Sequence, residues 1–240
     1  IELLGVKELV VVLTKCDLVD DEWCELVQIE VEELLGNTVY AGAPMVRTSA
    51  LNEFGLDTLL SRVGEATERL KHRNTEDITR LPLDRAFTIQ GTGTVVTGTL
   101  WSGVLKKGER VRLLPHDFEA NIRSLQVHGS ETQDVIAGNR VAVALSAPSS
   151  ERQLVTRGGT LVSISEWKPT WMLTVQVRLI AETKWRLQHN QRVRVHIGTS
   201  EVMARCVLLT NQEIHSGGAG WIQLRLEDPV IALSLIHISE

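Results

Sequence analysis

The hydrophobic pattern of this chain changes period once, near residue 80, and that change constrains its fold more than any other feature. Before it, apolar runs alternate with segments of helical spacing. Glu8–Thr14 (ELVVVLT) is a nearly continuous apolar run, as expected of a parallel strand covered on both faces. Trp23, Leu26, Val27, Val31, Leu34 and Leu35 then recur at helical spacing. Asp20, Asp21 and Glu22 stand at the start of that segment, where a helix dipole favours negative charge. Pro44–Ala50 reads as a second strand, and Leu56, Leu59, Leu60, Val63 and Leu70 mark a second helix. Strand, helix, strand, helix is the tail of an open α/β sheet, with too few strands to complete one.

Lys71–Arg80 (KHRNTEDITR) lacks apolar periodicity and reads as a linker. Beyond it, short β-branched runs are separated by turn signals such as Ser102-Gly103, Lys107-Gly108, His128-Gly129, Gly138-Asn139 and Gly158-Gly159. Such close spacing, with no helical segment between, predicts an all-β barrel or sandwich over 81–166. Lys168–Thr170, with Pro169, is the expected join to a second β unit over 167–240, with strands at Trp171–Ile180, Gln191–Gly198, Val202–Leu209 and Trp221–Leu226. The predicted class is multidomain: α/β over 1–70, linker over 71–80, then two β-barrels.

Composition narrows the function. Hydrophobic residues at 43% and charged residues at 23% fit a folded globular chain and argue against disorder. No apolar run approaches the roughly 20 residues of a membrane span, so no membrane partner is expected. Three cysteines, Cys16, Cys24 and Cys206, form no metal-type spacing; inert thiols in a reducing cytoplasm are the simple reading. The net charge of -5 conceals an asymmetry, since residues 1–79 carry 7 basic and 16 acidic residues and the remainder 18 and 14. Lys168–Arg205 alone holds seven basic and two acidic residues, which allows a polyanion partner on the C-terminal side. Solvated strand faces would give the same count. The scattered histidines suggest no site; His196 alternates with valines as a strand residue would. Trp23 is expected in a helix core, and Trp171 between strands.

Thr14-Lys15-Cys16-Asp17 falls where the first apolar strand ends, the edge at which doubly wound folds bind ligands. An Asp there can accept two parallel hydrogen bonds from the N1–H and exocyclic amine of guanine, a donor pair adenine lacks. The Lys15 stem can lie over the ring. Ser49, Ala50 and Leu51, in the run Thr48–Leu51, end the next strand, where backbone N–H groups can reach the guanine carbonyl. Thr14, Lys15, Asp17, Ser49, Ala50 and Leu51 are therefore the candidate guanine-binding set. The two motifs resemble the base-recognition elements of translational GTPases, whose first motif is usually Asn-Lys-x-Asp. The Thr-Lys-x-Asp form is similar to that of selenocysteine-specific elongation factors.

Leu83–Gly103 (LDRAFTIQGTGTVVTGTLWSG) reads physically as strand, Gly-x-Gly bend, strand and turn. As a pattern it resembles the start of the second domain of factors that carry aminoacyl-tRNA, in the variant of the selenocysteine-specific ones. Lys107–Val111, Ala137–Val141 and Asn190–Arg205 continue the resemblance, which covers roughly residues 1–230. It implies the C-terminal half of a P-loop-type GTPase domain followed by two β-barrels, the second truncated. It implies GTP as ligand, with Mg²⁺ in the intact parent, and selenocysteyl-tRNA and the ribosome as partners, with no DNA. The phosphate loop, the switch threonine and the catalytic His would lie upstream of Ile1, so the chain itself is expected neither to hold nor to hydrolyse GTP effectively. A messenger hairpin would be read only through a further C-terminal region.

The resemblance also implies an amino-acid pocket. A selenol is more acidic than a thiol, which ordinarily titrates near pH ~8.5, so selenocysteine is largely anionic at neutral pH. Two cations in a dry pocket would prefer it by Coulomb attraction. The positions implied are Arg85 and Arg157, with Asp84 orienting the first or holding the α-amino group. Read without the family, Arg85 is a surface ion pair and Arg157 a turn residue. One reading competes inside the superfamily, a general aminoacyl-tRNA elongation factor, and one comes from another class, a nucleotide-dependent metabolic enzyme on the same three-domain body, such as the GTPase subunit of a sulfate-activating enzyme. A β-barrel module binding RNA by charge alone is a further one, and leaves the guanine motifs as coincidences. The tail Ala232–Glu240 (ALSLIHISE) departs from the family pattern.

Overall fold

Each short apolar run of the N-terminal segment yields a strand of three residues, and each amphipathic run a helix. The computed structural model describes residues 5–70, 73–89, 93–148, 150–163, 167–181, 183–210 and 213–232. Its chain divides into two compact units, Ile1–His72 and Arg73–Glu240. In the first, β1 (Val11–Leu13), α1 (Asp21–Leu35), β2 (Met45–Arg47) and α2 (Leu56–Arg69) follow in order. β1 and β2 pair in parallel, Val11 with Met45 and Leu13 with Arg47. Asp20 caps α1, its carboxylate accepting from the Trp23 N–H at 2.9 Å.

The α1 stripe is barely covered. Cys24 is its one buried residue, while Trp23 is 59% exposed and Leu34 74%. The expectation that Trp23 is a core residue is thus overturned: two three-residue strands offer too little sheet to bury a four-turn helix.

The second unit opens on β3 (Arg80–Ile89) and β4 (Gly93–Thr99). They are followed by β5 (Val104–Lys106), β6 (Arg110–Leu114), β7 (Phe118–Val127), β8 (Ser130–Thr132), β9 (Asp134–Ile136), β10 (Arg140–Ser146) and β11 (Thr160–Ser163). The order β10-β4-β3-β11-β6-β7 closes through a β7–β10 pairing into a six-stranded barrel. β8 extends β7, and β5 with β9 forms a separate ribbon. Alternation along each strand fills the interior with Leu81, Leu83, Val96, Val111, Leu125, Val143 and Leu161, all essentially without solvent exposure. The Gly91-Thr92 part of the Gly-x-Gly bend lies outside the described residues.

The stretch read as a linker is pinned at its end. Thr79 and Arg80 are buried. Gly103 is close enough that a Cβ there would stand 2.6 Å from Thr79 Cα, and its φ of +74° suits glycine. Arg80, 3% exposed, opens β3, with its guanidinium 4.8 Å from the Trp101 ring and 5.7 Å from the Trp167 ring. The boundary pattern missed this, because a single charged residue at the end of a polar stretch gives no periodic signal.

The second β unit contains β12 (Thr170–Arg178), β13 (Leu187–Gln188), β14 (Gln191–Ile197), β15 (Ser200–Leu208), β16 (Glu213–Ile214) and β17 (Ala219–Val230). Four of them form an antiparallel sheet, β12-β17-β15-β14, and β13 pairs β16. Ala204, Cys206, Ile222 and Leu224 lie in its core. Trp171 is 58% exposed on the edge strand β12, so it does not pack between strands as expected. Of the atypical tail, residues 233–240 lie outside the described residues.

Candidate functional site

In the N-terminal unit the two sequence motifs meet. The Thr48 N–H donates to the Leu13 carbonyl at 2.7 Å, and the Cys16 N–H to the Thr48 carbonyl at 3.1 Å. These bonds carry the β1–β2 pairing past the strand ends and align Thr14–Asp17 with Ser49–Leu51. The Ser49 hydroxyl donates to the Asp17 carboxylate. Lys15 adopts a left-handed backbone, φ 63°, where the chain turns into the short 3₁₀ segment Cys16–Leu18. A non-glycine residue in that region is uncommon. The Ser49 N–H is taken by the Phe54 carbonyl and the Leu51 N–H by the Ser49 hydroxyl. Ala50 is exposed, and among the described residues its N–H takes no protein acceptor. One carboxylate held by a serine, beside a free backbone donor, fits the guanine edge: an acceptor for the two N–H groups and a donor for the carbonyl. Thr14 and Lys15 are exposed at the same end.

In the barrel, the register between β3 and β4 shifts between Leu83 and Arg85. Two residues, Asp84 and Arg85, therefore follow one another on the outer side between buried Leu83 and inward Ala86. Arg85 faces Thr97, and its side chain makes no hydrogen bond or ion pair among the described residues. Asp84 pairs not with its neighbour Arg85 but with Arg140 of β10, at 3.0 Å, and accepts from the Thr97 hydroxyl at 2.6 Å. Arg140 was invisible to sequence reasoning because the strand order β10-β4-β3 brings it across the sheet. Its position opposite Thr99 is a matter of register alone.

Arg157 lies on a turn that adjoins β3. The adjoining Gly158 N–H donates to the Leu83 carbonyl at 3.1 Å, so the two backbones are neighbours. Yet Arg157 lines a recess of about 430 Å³ between the two β units, together with Arg80, His116, Glu201 and Asp228, and neither Asp84 nor Arg85 lines it. Arg157 precedes a turn that packs on the Ser200 backbone.

The outer face of the second sheet carries a row of arginines. Arg192, Arg205 and Arg225 stand directly opposite one another across β14, β15 and β17. Glu227 grips Arg192 in a bidentate pair at 2.8 and 2.7 Å, which pushes the carboxyl pKa down and that of Arg192 up. Aligned like charges are unfavourable in a bare sheet. No group of side chains suited to a metal occurs among the described residues, nor is any helix among them long and apolar enough to cross a membrane.

These features can be set beside known proteins. The family model of elongation factor Tu domain 2 matches residues 93–162, and that of the selenocysteine-specific elongation factor β-barrel domain matches 173–234. The selenocysteine-specific elongation factor of Desulfomicrobium baculatum is 34% identical over 228 residues, 95% of this chain and 36% of that protein. The one from Escherichia coli K12 is 32% identical over 209 residues, 87% of this chain and 33% of that protein. Among solved structures, a bacterial selenocysteine-specific factor, EF-Sec, superposes with TM-score 0.79 at 25% identity, covering 95% of this chain and 36% of that one. SelB of Methanococcus maripaludis, crystallised with the GTP analogue GPPNHP, gives 0.74 at 27% identity, covering 94% and 53%. The chain thus spans about a third of the length of the first two relatives.

An α/β unit with two aligned loops at its strand ends, followed by a barrel of the elongation factor Tu domain 2 type, is the architecture of the translational GTPase class. Within that class the chain belongs to the selenocysteine-specific elongation factors.

Proposed function

We propose that this chain is the part of a GTP-dependent, cytoplasmic translation factor that reads guanine and holds the aminoacyl end of selenocysteyl-tRNA for delivery to the ribosome. The observation that carries this reading is the bulge at Asp84–Arg85. It sets Arg85, whose side chain makes no hydrogen bond or ion pair among the described residues, next in the chain to Asp84, which steadies a second guanidinium, Arg140. Two cations against one small anionic side chain favour a selenolate over a neutral thiol or hydroxyl. Asp84 can also accept from the α-amino group. In the nucleotide, guanine identity is read by Asp17, steadied by the Ser49 hydroxyl, and by the Ala50 N–H, while Leu51, Thr14 and Lys15 border the base. Bound GTP with Mg²⁺ supplies the on-state of the whole factor; the residues of this chain orient the base alone. The arginine row Arg192–Arg205–Arg225 suits the phosphate backbone of the tRNA stem, whose charge would relieve their mutual repulsion.

The test uses the full-length factor and compares protection of selenocysteyl- and seryl-tRNA from hydrolysis. Arg85→Ala and Arg140→Ala are each expected to remove the preference while leaving guanine nucleotide affinity unchanged. Arg157→Ala, the other cation implied by the sequence, is measured beside them. Full preference in all three variants would place the pocket elsewhere.

The general aminoacyl-tRNA reading draws on one observation: Elongation factor Tu 2 of Streptomyces avermitilis is 31% identical over 188 residues, 74% of this chain and 47% of that protein. Under that reading the preference is absent in the wild type.

A further inference from the structure

Two of the three cysteines stand together at the guanine loop. Cys16 occupies the position between Lys15 and Asp17, and its thiol donates to the Leu13 carbonyl at 3.3 Å. Cys24 sits in the first turn of α1, its N–H donating to the Asp20 carbonyl at 3.2 Å. Both line one recess of about 360 Å³, with Leu13, Trp23 and Val27 among its walls. Burial first, then the neighbouring Cys16 thiol, push the Cys24 pKa up. Cys24 is buried and Cys16 half-exposed.

We infer that Cys16 and Cys24 form an oxidant-sensitive pair that closes into a disulfide and locks the guanine-reading loop. The inference that guanine binding then weakens rests on the proposed function; formation of the bond does not. The accessible Cys16 thiolate attacks hydrogen peroxide, forming an S–O bond as the O–O bond breaks, and the departing hydroxide takes a proton to leave as water. Cys24 then attacks the sulfenic sulfur. The S–S bond forms, the S–OH bond breaks, and the hydroxide leaves with the Cys24 proton as a second water. Two thiols have given up two electrons to one peroxide. Burial keeps Cys24 protonated and unreactive on its own, which assigns it the resolving role and Cys16 the attacking one.

The consequence for the loop follows from its bonds. Cys16 ties the two motifs together through its N–H to Thr48, and its S–H bond to Leu13 helps hold the turn. Oxidation removes that S–H donor and fastens the backbone between Lys15 and Asp17 to the first turn of α1. The loop then loses the freedom to fit its carboxylate to an incoming base. Cys206 lies buried in the core of the second sheet and serves as an internal control.

The experiment treats the reduced chain with stoichiometric hydrogen peroxide and then alkylates it under denaturing conditions. No Lys or Arg separates Cys16 from Arg47, so trypsin releases both cysteines in one peptide. The expected result is that peptide unalkylated and lighter by two hydrogen atoms, with Cys206 fully alkylated. Amide exchange over residues 14–18 should slow at least several-fold on oxidation and recover with a thiol reductant. In Cys24→Ser, Cys16 should stop at a sulfenic acid captured by dimedone; Cys16→Ser should leave Cys24 unoxidised. A peptide that gains oxygen without losing hydrogen, or unchanged exchange over 14–18, overturns the inference whatever the variants do. In the full-length factor, guanine nucleotide affinity should fall at least tenfold on oxidation. If the reduced factor binds no guanine nucleotide, the base-reading assignment fails, and the mass and exchange results alone decide the thiol pair.

Discussion

Replacing Asp84 by Asn removes one charge while keeping the size and planarity of the side chain. Arg140 lies 3.0 Å from the carboxylate, with the two side chains 54% and 32% exposed. Exposed pairs of this kind contribute about 0.2–1 kcal/mol. The Thr97 hydroxyl at 2.6 Å keeps an oxygen acceptor in the amide, losing only the charge assistance, about 1 kcal/mol. Asp84→Asn should therefore cost about 1–2 kcal/mol in urea unfolding of the chain, and the difference from wild type should shrink in 1 M salt, where the Debye length is about 3 Å. The functional effect should be larger in proportion. Under the proposed function Arg140 is no longer held at the pocket by Asp84, and preference for selenocysteyl- over seryl-tRNA should fall at least tenfold, about 1.4 kcal/mol. A stability loss well beyond 3 kcal/mol would make Asp84 a structural residue, and an unchanged preference would remove it from the pocket. Either result refutes the reasoning.

Leu161→Ala empties a fully buried site in β11, between β3 and β6, and should cost about 3–5 kcal/mol by denaturant titration. Gly55 adopts φ +74°, and a Cβ there would stand 2.0 Å from the Arg47 carbonyl oxygen; Gly55→Ala should speed amide exchange over 49–55. Arg80→Lys keeps the charge between Trp101 and Trp167 but loses the planar stack, so it should destabilise the barrel by about 1–2 kcal/mol with a change in tryptophan fluorescence; wild-type stability would show the stack to be incidental. Because Arg192 depresses the Glu227 pKa below 4.5, the pair's contribution is full above that pH and is lost as pH falls through the lower folded value. The difference in Tm between wild type and Glu227→Gln should therefore narrow between pH 6 and pH 3.

The sequence was most legible where function depends on local order. Thr14–Asp17 and Ser49–Leu51 each follow a short apolar run, and the structure aligns them because the runs pair in parallel. The β character after residue 80 was equally plain from turn spacing. What could not be read were contacts across strands. Arg140 reaches Asp84 only through the order β10-β4-β3, which no periodicity encodes. Arg157 adjoins the Leu83 backbone but turns toward the other β unit, a direction fixed by the turn at Gly158 rather than by residue type. Trp23 and Trp171 carried a hydrophobic signal without a covering surface, because apolarity predicts a wish for burial and not the supply of it. Arg80 erred in the opposite sense, a charge accepted into the interior by two indoles.

Closure of the first barrel has a bearing on how the chain is made. β3 meets its far neighbour β11 through the pairing of Pro82 with Thr160, so the first strand of the barrel waits for the last. During synthesis from the N-terminus, β3 and β4 emerge early with one flank unpaired, and most of the barrel must follow before that edge is covered. Such distant pairing slows folding and leaves a strand edge open to strangers in the interval. The Trp167 wall of the Arg80 sandwich arrives four residues after β11 ends. Seam and lock are thus delivered together, and a nascent chain stopped before Trp167 would hold a barrel with its edges met but its entrance strand unfastened.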